Sequence, residues 1–326
     1  MRLDLSAQRL ADLLARAATT RIAVIGDAML DVYLTGDVER ISPEAPVPVL
    51  RVRERKHALG GAANVAQNVV AIGAGCALVS AIGADRAGET LRTMLRESGV
   101  TAAVPPTHER CTTQKTRIVA RSQQVVRVDE EEDGELAGAD VQAIIDAAHA
   151  AIATADALVL EDYNKGVLTP TVIRTAIDEA RRKGIPIVVD PKYRNFFAYR
   201  GATLFKPNRR ELETALGAAV DFQHPESLSH AFERLGVEHL LLTLSERGMV
   251  MYSAHGEVLR VPALAREVYD VVGAGDTVTA YVAAMLAAGG SMPEAAMVAN
   301  LAAGLEGGKF GAATVSPAEL IEFAGS

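Results

Sequence analysis

The chain has 326 residues, of which 49% are hydrophobic and 4% aromatic, with two Cys and no Trp. This composition excludes a disordered chain, a collagen-like chain and a disulfide scaffold. The 33 Lys and Arg against 41 Asp and Glu give a net charge of −8, which argues against sequence-independent binding of nucleic acid. Because no linker, repeat or low-complexity tract divides the chain, we expect a single domain over residues 1–326.

The N-terminal segment predicts a docking helix and no secretion signal, because charged residues interrupt its leucines throughout 1–20. The longest weakly polar stretch, 278–290, is far shorter than the roughly 20 residues that a membrane span requires. Cys76 and Cys111 are expected to be free thiols of a reducing compartment. These features predict a soluble, cytoplasmic protein with no nucleic-acid or membrane partner.

Short apolar runs alternate with segments of helical length through most of the chain. The runs lie at 21–26, 77–82, 157–161, 186–190, 204–206 and 239–244, and helical segments between them lie at 61–73, 88–98, 140–154 and 170–183. Continuous apolar strands separated by helices predict a mostly parallel α/β sheet with helices on both faces. A hairpin (248–253 and 257–262) and helices at 275–288 and 293–304 are expected to follow.

Two charged, alternating ribbons, 47–59 and 112–129, do not fit this rhythm. Neither is followed by a crossover helix, and we expect them to form a small β-sheet lid from two insertions, about 35–60 and 110–130. The acidic run 129–133 is interpreted as a solvated loop without a function of its own.

The strongest chemical candidate is Gly273-Ala274-Gly275-Asp276, which lies between an apolar run and a helix. Small residues at a helix start let backbone N–H groups approach a phosphate closely. Asp276 is suited to accept a proton from an attacking hydroxyl. The alternative is that Asp276 only caps the helix and the glycines form a turn.

Further candidates on the sugar side are Gly60-Gly61 with Asn64, and Asp31 after the first strand. A glycine pair allows a sugar to lie against the backbone, while the two polar side chains are suited to hold its hydroxyls. A tight turn and a plain surface carboxylate are the alternatives.

Asn208 and Glu211 stand three residues apart at a helix start and are suited to face a metal-bound water or a phosphate. A helix cap explains the same spacing. Lys165 and Lys192 each follow a strand end, where they are suited to hold an anion or are simply solvated. The sequence contains no P-loop, no G-x-G-x-x-G after the first strand, no H-E-x-x-H and no G-x-S-x-G.

The Gly-Gly pair with Asn64, the Asn208-x-x-Glu211 pair and the 273–276 motif, in this order, resemble the ribokinase (carbohydrate and adenosine kinase) superfamily. The resemblance extends from about residue 21 to the C-terminus. It implies a ribokinase-like fold with a β lid, the use of ATP and Mg²⁺, Asp276 as catalytic base, and an anion hole at Gly273, Ala274 and Gly275.

The resemblance also implies further ligand contacts. It places Thr243, Ser245 and Gly248 along the nucleotide, Asn300 near the adenine, Asn208 and Glu211 around Mg²⁺ and its waters, and a potassium-like ion near Asp270 and 308–316. The lids of two subunits are expected to pair into a homodimer.

Within the superfamily, the segments 40–48, 60–64, 162–166 and 314–317 are similar to those of bacterial kinases that phosphorylate D-glycero-β-D-manno-heptose 7-phosphate at O1, for ADP-heptose and lipopolysaccharide core synthesis. Some of these relatives carry a second, cytidylyltransferase-like domain with an H-x-G-H signature, which these 326 residues lack. If these residues are the full protein, we expect adenylyl transfer to fall to another polypeptide. A fructose phosphate or ribose is the alternative substrate. The cations suited to the 7-phosphate are Arg117, Arg121, Lys165 and Lys192, and the sequence does not choose among them.

Overall fold

The computed structural model describes residues 5–107, 110–121, 123–221, 228–263, 273–309 and 313–325. Its helices are α1 (Ala7–Ala17), α2 (Ala62–Ala71), α3 (Arg86–Glu97), α4 (Gly138–Ala153), α5 (Pro170–Lys183), α6 (Arg209–Leu216), α7 (Ser229–Leu235), α8 (Ala274–Ala287), α9 (Met292–Glu306) and α10 (Pro317–Gly325). Its strands are β1 (Arg21–Gly26), β2 (Ala28–Ile41), β3 (Pro48–Gly61), β4 (Gly75–Val79), β5 (Ile82–Gly83), β6 (Thr101–Ala103), β7 (Pro106–Thr107), β8 (Gln114–Ala120), β9 (Gln123–Glu130), β10 (Ala157–Glu161), β11 (Ile187–Asp190), β12 (Leu204–Phe205), β13 (His239–Thr243), β14 (Met249–Ser253) and β15 (Val258–Val261).

A nine-stranded sheet forms the centre of the fold, in the order β15-β14-β13-β12-β11-β10-β1-β4-β6. All neighbours from β13 to β6 pair in parallel, and β14 and β15 add the antiparallel hairpin. The predicted α/β class and the hairpin are confirmed. Later strands are added on both sides of β1, with β4 and β6 on one side and β10 to β15 on the other. This change of direction creates a crevice at the carboxyl ends of β1 and β10.

Helices cover both faces of this sheet, as the continuous apolar runs predicted. In β1, Ile22 and Val24 belong to the core beneath α1, α2, α8 and α9, while Ala23 and Ile25 belong to the opposite core beneath α4 and α5. Because successive side chains of a strand point to opposite faces, a run that is apolar throughout is buried on both sides.

A second, four-stranded sheet has the order β3-β2-β8-β9 and comes from two separate insertions, as predicted. Two details differ from the prediction. The lid begins at Ala28, directly after β1, so Asp31 lies within it, and 112–129 is a hairpin of two strands with Arg121 in its turn. The predicted strand 77–82 is also shorter, because β4 ends at Val79.

No helix in the described ranges is long and apolar enough to cross a membrane. Cys76 is buried and Cys111 is partly exposed, and neither forms a disulfide. The prediction of two free thiols is confirmed.

Candidate active site

Asp276 lies in the first turn of α8 and is buried, with 5% of its surface exposed. Gly273 adopts φ +97 immediately before the helix and carries no side chain that caps it. The first N–H groups of α8 are therefore free of a capping side chain, and the helix dipole favours an anion there. Asp276 is not the N-cap, so the alternative that it only caps the helix is not what the structure shows.

Both carboxylate oxygens of Asp276 accept a hydrogen bond. Asn64 Nδ2 donates to Oδ2 over 2.8 Å, and Tyr163 Oη donates to Oδ1 over 2.8 Å. Asn68 in turn donates to Asn64, and Thr277 donates to Asn68. This chain of bonds ties α2, which follows the Gly-Gly turn, to the start of α8, so two distant sequence motifs form one site.

Burial raises the pKa of Asp276 to about 6, because the charged form loses water. The hydrogen bonds from Asn64 and Tyr163 act in the opposite direction, while the nearby Asp190 adds to the increase. A carboxyl group with this pKa is mostly ionised at neutral pH and is a stronger base than an exposed aspartate.

A buried group of charges surrounds Asp276. Oxygens of Glu161, Asp190 and Asp276 lie within 4.8 Å of one another. Lys206, itself buried, donates to Asp190 Oδ2 over 2.7 Å. Both oxygens of Glu161 are buried without a hydrogen-bond partner among the described residues. Burial and the neighbouring carboxylates of Asp190 and Asp276 raise the pKa of Glu161 well above its usual value.

The candidate site also contains four residues that the predicted site residues do not include: Glu161, Asp190, Lys206 and Tyr163. Glu161 and Asp190 end β10 and β11, and Lys206 directly follows β12. These three strands are neighbours in the sheet, so their carboxyl ends meet at one edge. For Glu161, Asp190 and Lys206, the available signal was a charged residue at the end of an apolar run.

Asn208 and Glu211 form a capping box at the start of α6. Asn208 Oδ1 accepts from the Glu211 amide over 2.9 Å, and Glu211 Oε2 accepts from the Asn208 amide over 2.8 Å. The remaining oxygen, Oε1, accepts from Lys192 Nζ over 2.5 Å. The cap is thus observed. Amide and carboxylate oxygens are also the donors that Mg²⁺ takes through its water shell, so the pair fits a water-mediated ion.

Lys192 lies between the capping box of α6 and the side chain of Tyr163. Besides Glu211, its ammonium approaches the Tyr163 ring, 5.2 Å from the centroid. The carboxylates of Asp190 and Glu211 outweigh burial and raise the pKa of Lys192, so it is a fixed positive charge.

The predicted sugar residues do come together at the base of the small sheet. Asp31 Oδ1 accepts from Arg117 Nη1 over 2.6 Å. A Cβ on Gly60 would lie 2.8 Å from Asp31 Oδ2, and a Cβ on Gly61, at φ +57, would lie 2.4 Å from the carbonyl oxygen of Asp27. A side chain at either position would collide with these oxygens, so both positions require glycine.

Asp27 organises the loop that carries Tyr163 and Lys165. Its buried carboxylate accepts from the backbone amides of Tyr163, Lys165 and Val167 over 2.8, 2.9 and 3.1 Å. The loop is therefore fixed from the carboxyl end of β1, which places the Lys165 side chain beside the small sheet.

Lys165 shares Glu131 with Lys115, which is not among the predicted phosphate-binding cations. Lys165 Nζ lies 2.8 Å from Glu131 Oε1, and Lys115 Nζ lies 3.1 Å from Glu131 Oε2. Lys115 pairs with Asp31 in the β2–β8 register, so it stands at the sugar side. The acidic run 129–133 is therefore not merely solvated: Glu131 neutralises both lysines, which corrects the earlier interpretation.

Arg121 stands apart from this group. It occupies the turn after β8 at φ +54, four residues beyond Arg117 and thus roughly 13 Å farther along the strand. The structure of one chain does not bring Arg121 to Asp31 or Asp276.

The residues expected along the nucleotide gather at the carboxyl end of β13. Thr243 forms a bridge with Asn208, Ser245 begins a short 3₁₀ turn, and Gly248 at φ +82 leaves no room for a Cβ, which would lie 2.2 Å from the Val261 carbonyl oxygen. Asn300 donates to the Pro262 carbonyl oxygen over 3.0 Å.

A groove of about 560 Å³ opens beside this turn, and Leu244, Arg247 and Pro262 are among its lining residues. Asp270 and residues 310–312 of the expected cation loop lie outside the described residues. The potassium-like ion remains a prediction.

An α/β fold with a two-insertion lid, and a buried aspartate at an uncapped helix start, define a phosphotransferase of the ribokinase-like class. The chain matches the pfkB family carbohydrate kinase model over residues 19–319. It therefore belongs to the pfkB family of carbohydrate kinases, and it is a sugar kinase.

The curated relatives agree with this assignment. The chain is 45% identical over 315 residues to the Bifunctional protein HldE of Rhodospirillum rubrum, a match that covers 96% of this chain and 64% of the relative. It is 47% identical over 311 residues to the HldE of Pelobacter propionicus, covering 94% of this chain and 63% of the relative. The chain thus spans less than two thirds of the length of these relatives.

Solved structures support the fold. Arabidopsis thaliana ribokinase, complexed with ribose and ATP, matches with a TM-score of 0.73 at 17% identity, covering 94% of this chain and 99% of the other. Phosphofructokinase-2 of Escherichia coli, in complex with potassium, matches with a TM-score of 0.78 at 18% identity, covering 94% and 100%. The ribokinase-like expectation is confirmed.

Proposed function

We propose that residues 1–326 act as a single cytoplasmic kinase domain that transfers the γ-phosphoryl group of ATP to O1 of D-glycero-β-D-manno-heptose 7-phosphate. The carrying observation is the placement of Asp276 at the uncapped start of α8, bonded to Asn64 of the sugar-side helix. The substrate is supported by the HldE relatives at about 45% identity. The product serves ADP-heptose and lipopolysaccharide synthesis in this proposal.

In the proposed mechanism, Asp276 accepts the proton of the anomeric hydroxyl while O1 attacks the γ-phosphorus in line. The N–H groups at 273–276 stabilise the charge that spreads over the transferred group, since preorganised donors supply most of the catalysis in such reactions. Asp31 and Asn64 hold the sugar so that one hydroxyl reaches Asp276.

Nucleotide and ion contacts complete the proposal. Thr243, Ser245 and Gly248 line the path of ATP, and Asn300 lies near the adenine. When bound near Asn208 and Glu211, Mg²⁺ would neutralise part of the phosphate charge. A potassium-like ion near Asp270 stays part of the proposal on the strength of the family resemblance alone.

Among the four cations that the sequence offered, the contacts favour Lys165 for the 7-phosphate, with Lys115 as its partner. Both ammonium groups lie on one carboxylate, Glu131, at the sugar side. A phosphate dianion is suited to replace that carboxylate and bind both lysines. Arg117 and Lys192 each pair with a carboxylate that has another role in the proposal, Asp31 toward the sugar hydroxyls and Glu211 toward the ion, and Arg121 is remote.

Substrate profiling tests the proposal. Purified protein with ATP and Mg²⁺ should release ADP with heptose 7-phosphate and form a product phosphorylated at O1. Fructose 6-phosphate, fructose 1-phosphate, ribose and a reaction without sugar are the comparisons. A clear preference for one of these other sugars would contradict the substrate, and release that is independent of sugar would contradict the acceptor chemistry.

A homodimer through the small sheet is part of the proposal. All eight residues of β9 are exposed, and Val125, Val126 and Val128 are among the exposed large hydrophobic residues. An exposed apolar edge strand is a surface that proteins normally cover.

We therefore expect Val126→Asp to shift the protein from dimer to monomer in sedimentation or light scattering, because it places a charge in the proposed interface. Val258→Asp, at an exposed valine of the large sheet, is the matched control and should leave the mass unchanged. A wild-type protein that is monomeric at all accessible concentrations would contradict the dimer.

A further inference from the structure

Tyr163 lies where three parts of the candidate site meet. Its hydroxyl donates to Asp276 Oδ1, its ring faces the ammonium of Lys192, and a Cβ on Gly61 would lie 3.5 Å from its Cδ2. Lys192 is bonded to Glu211. One side chain thus contacts the sugar-side turn, the carboxylate of the proposed base, and the lysine next to the proposed ion site.

The position of this phenol is fixed from its own backbone. Asp27, at the end of β1, accepts the Tyr163 amide, and two further bonds hold the loop at Lys165 and Val167. A residue fixed at the backbone, at the ring and at the hydroxyl has little freedom to rotate. The direction of the hydrogen bond to Asp276 is therefore set before substrate arrives.

We infer that Tyr163 is a positioning residue that aims the Asp276 carboxylate at the sugar hydroxyl and favours its ionised form. Asn64 holds Oδ2 and Tyr163 holds Oδ1, so the carboxylate plane is defined by two donors on different elements. Each oxygen keeps a second lone pair for the substrate proton. The inference rests on the proposed role of Asp276 as base.

The charged groups near Asp276 determine whether removal of the Tyr163 hydroxyl raises or lowers the pKa of Asp276. Burial and Asp190 favour the protonated form, whereas Lys206 and the two donors favour the ionised form. Glu161, whose own pKa is raised by burial and by these carboxylates, faces the same cluster. Removing the phenol hydroxyl deletes one of the groups that stabilise the anion, so the pKa of Asp276 must rise.

The test is Tyr163→Phe, which keeps the ring and its packing. Because the base must be ionised, activity in the wild type should fall as pH drops through about 6. In the variant, the midpoint of this acid limb should move upward by about one pH unit, the scale of a hydrogen bond to a charged group. This shift alone removes less than half of the ionised base at pH 7, and the loss of the fixed carboxylate direction is expected to bring the total fall in kcat to about tenfold, with KM for ATP unchanged.

Tyr199→Phe is the matched control. Tyr199 also donates its phenol to a buried carboxylate, Asp162 Oδ2, over 2.7 Å, although its side chain is fully buried whereas Tyr163 is partly exposed. Its removal should lower the melting temperature and leave the pH profile in place. A purely structural role for Tyr163 would give the same result as this control.

The outcomes are distinct. A wild-type protein that releases no ADP with any sugar overturns the proposed function together with this inference. An active wild type whose pH profile superimposes on that of Tyr163→Phe overturns this inference alone. A shifted acid limb in Tyr163→Phe, absent from Tyr199→Phe, supports it.

Discussion

Asp276→Asn is expected to lower kcat by at least about 100-fold, the scale of removing a general base. The amide keeps the size of the side chain and can still accept at one oxygen from Asn64 or Tyr163, so the fold and ATP binding should persist. The measurement is sugar-dependent ADP release at saturating ATP, together with nucleotide affinity by calorimetry.

Asp162→Asn is the matched control for this variant. Asp162 is also buried at a strand end, and burial likewise raises its pKa to about 6, but its oxygens accept from Tyr199 and from the Asn164 amide. It should change stability and leave kcat within a few-fold. Near-normal turnover in Asp276→Asn would remove the base from the mechanism. An equal loss in both variants would point to a general effect of buried carboxylates on folding.

The large sheet could be predicted from the sequence because burial on both faces imposes an uninterrupted apolar run. The first strand was predicted with its observed bounds, 21–26, as were 157–161 and helix 170–183. The small sheet was predicted less well. The mostly apolar residues that begin β2 follow closely on those of β1, so the sequence does not mark where the small sheet starts. The hairpin 112–129 turns at Arg121, and arginine rarely adopts a positive φ.

The site could be predicted where a backbone requirement left a sequence signal. Gly60, Gly61 and Gly273 are such positions, since each has a close approach or a positive φ. Single side chains whose partners lie far away in sequence left no such signal. Glu161 and Asp190 meet Asp276 only because β10 and β11 are neighbours and α8 packs over them.

The same limit applies to the choice between Lys115 and Arg121 as a proposed phosphate ligand. Along a charged ribbon every second residue shares a face, but the register with β2 decides which of them stands opposite Asp31. Register across a parallel pair depends on packing that the sequence does not display. The capping box at Asn208 and Glu211 shows a different limit. The local spacing predicts the helix cap that is observed, but the cap does not decide whether the same side chains hold a metal, so the metal role stays a proposal.

The buried charges around Asp276 are consistent with a site built for chemistry and not for stability. Lys206 and Asp190 form a buried pair, and replacing such a pair by apolar residues is often neutral or stabilising. Glu161 adds a carboxyl group whose oxygens have no partner among the described residues, which is unfavourable for folding. The presence of these groups at one sheet edge therefore makes the free energy of folding less favourable.

Replacing Lys115 and Lys165 together by Ala should raise KM for heptose 7-phosphate by about 100-fold, since each charge-assisted bond to a phosphate contributes about tenfold or more. The ratio of kcat to KM for unphosphorylated heptose should change little, because that sugar lacks the dianion. Comparing the two sugars in steady-state kinetics isolates the phosphate from the rest of the substrate.

Two further variants test whether the change in KM comes from the two lysines. Glu131→Gln removes the carboxylate that now lies on both lysines, so it should lower KM for the phosphorylated sugar by a few-fold. Arg121→Ala should leave KM unchanged, since the turn of the β8–β9 hairpin is remote from Asp31 within one chain. A large increase in KM for Arg121→Ala, with none for the lysine pair, would move the phosphate site to the end of the hairpin, where a paired subunit would have to complete it.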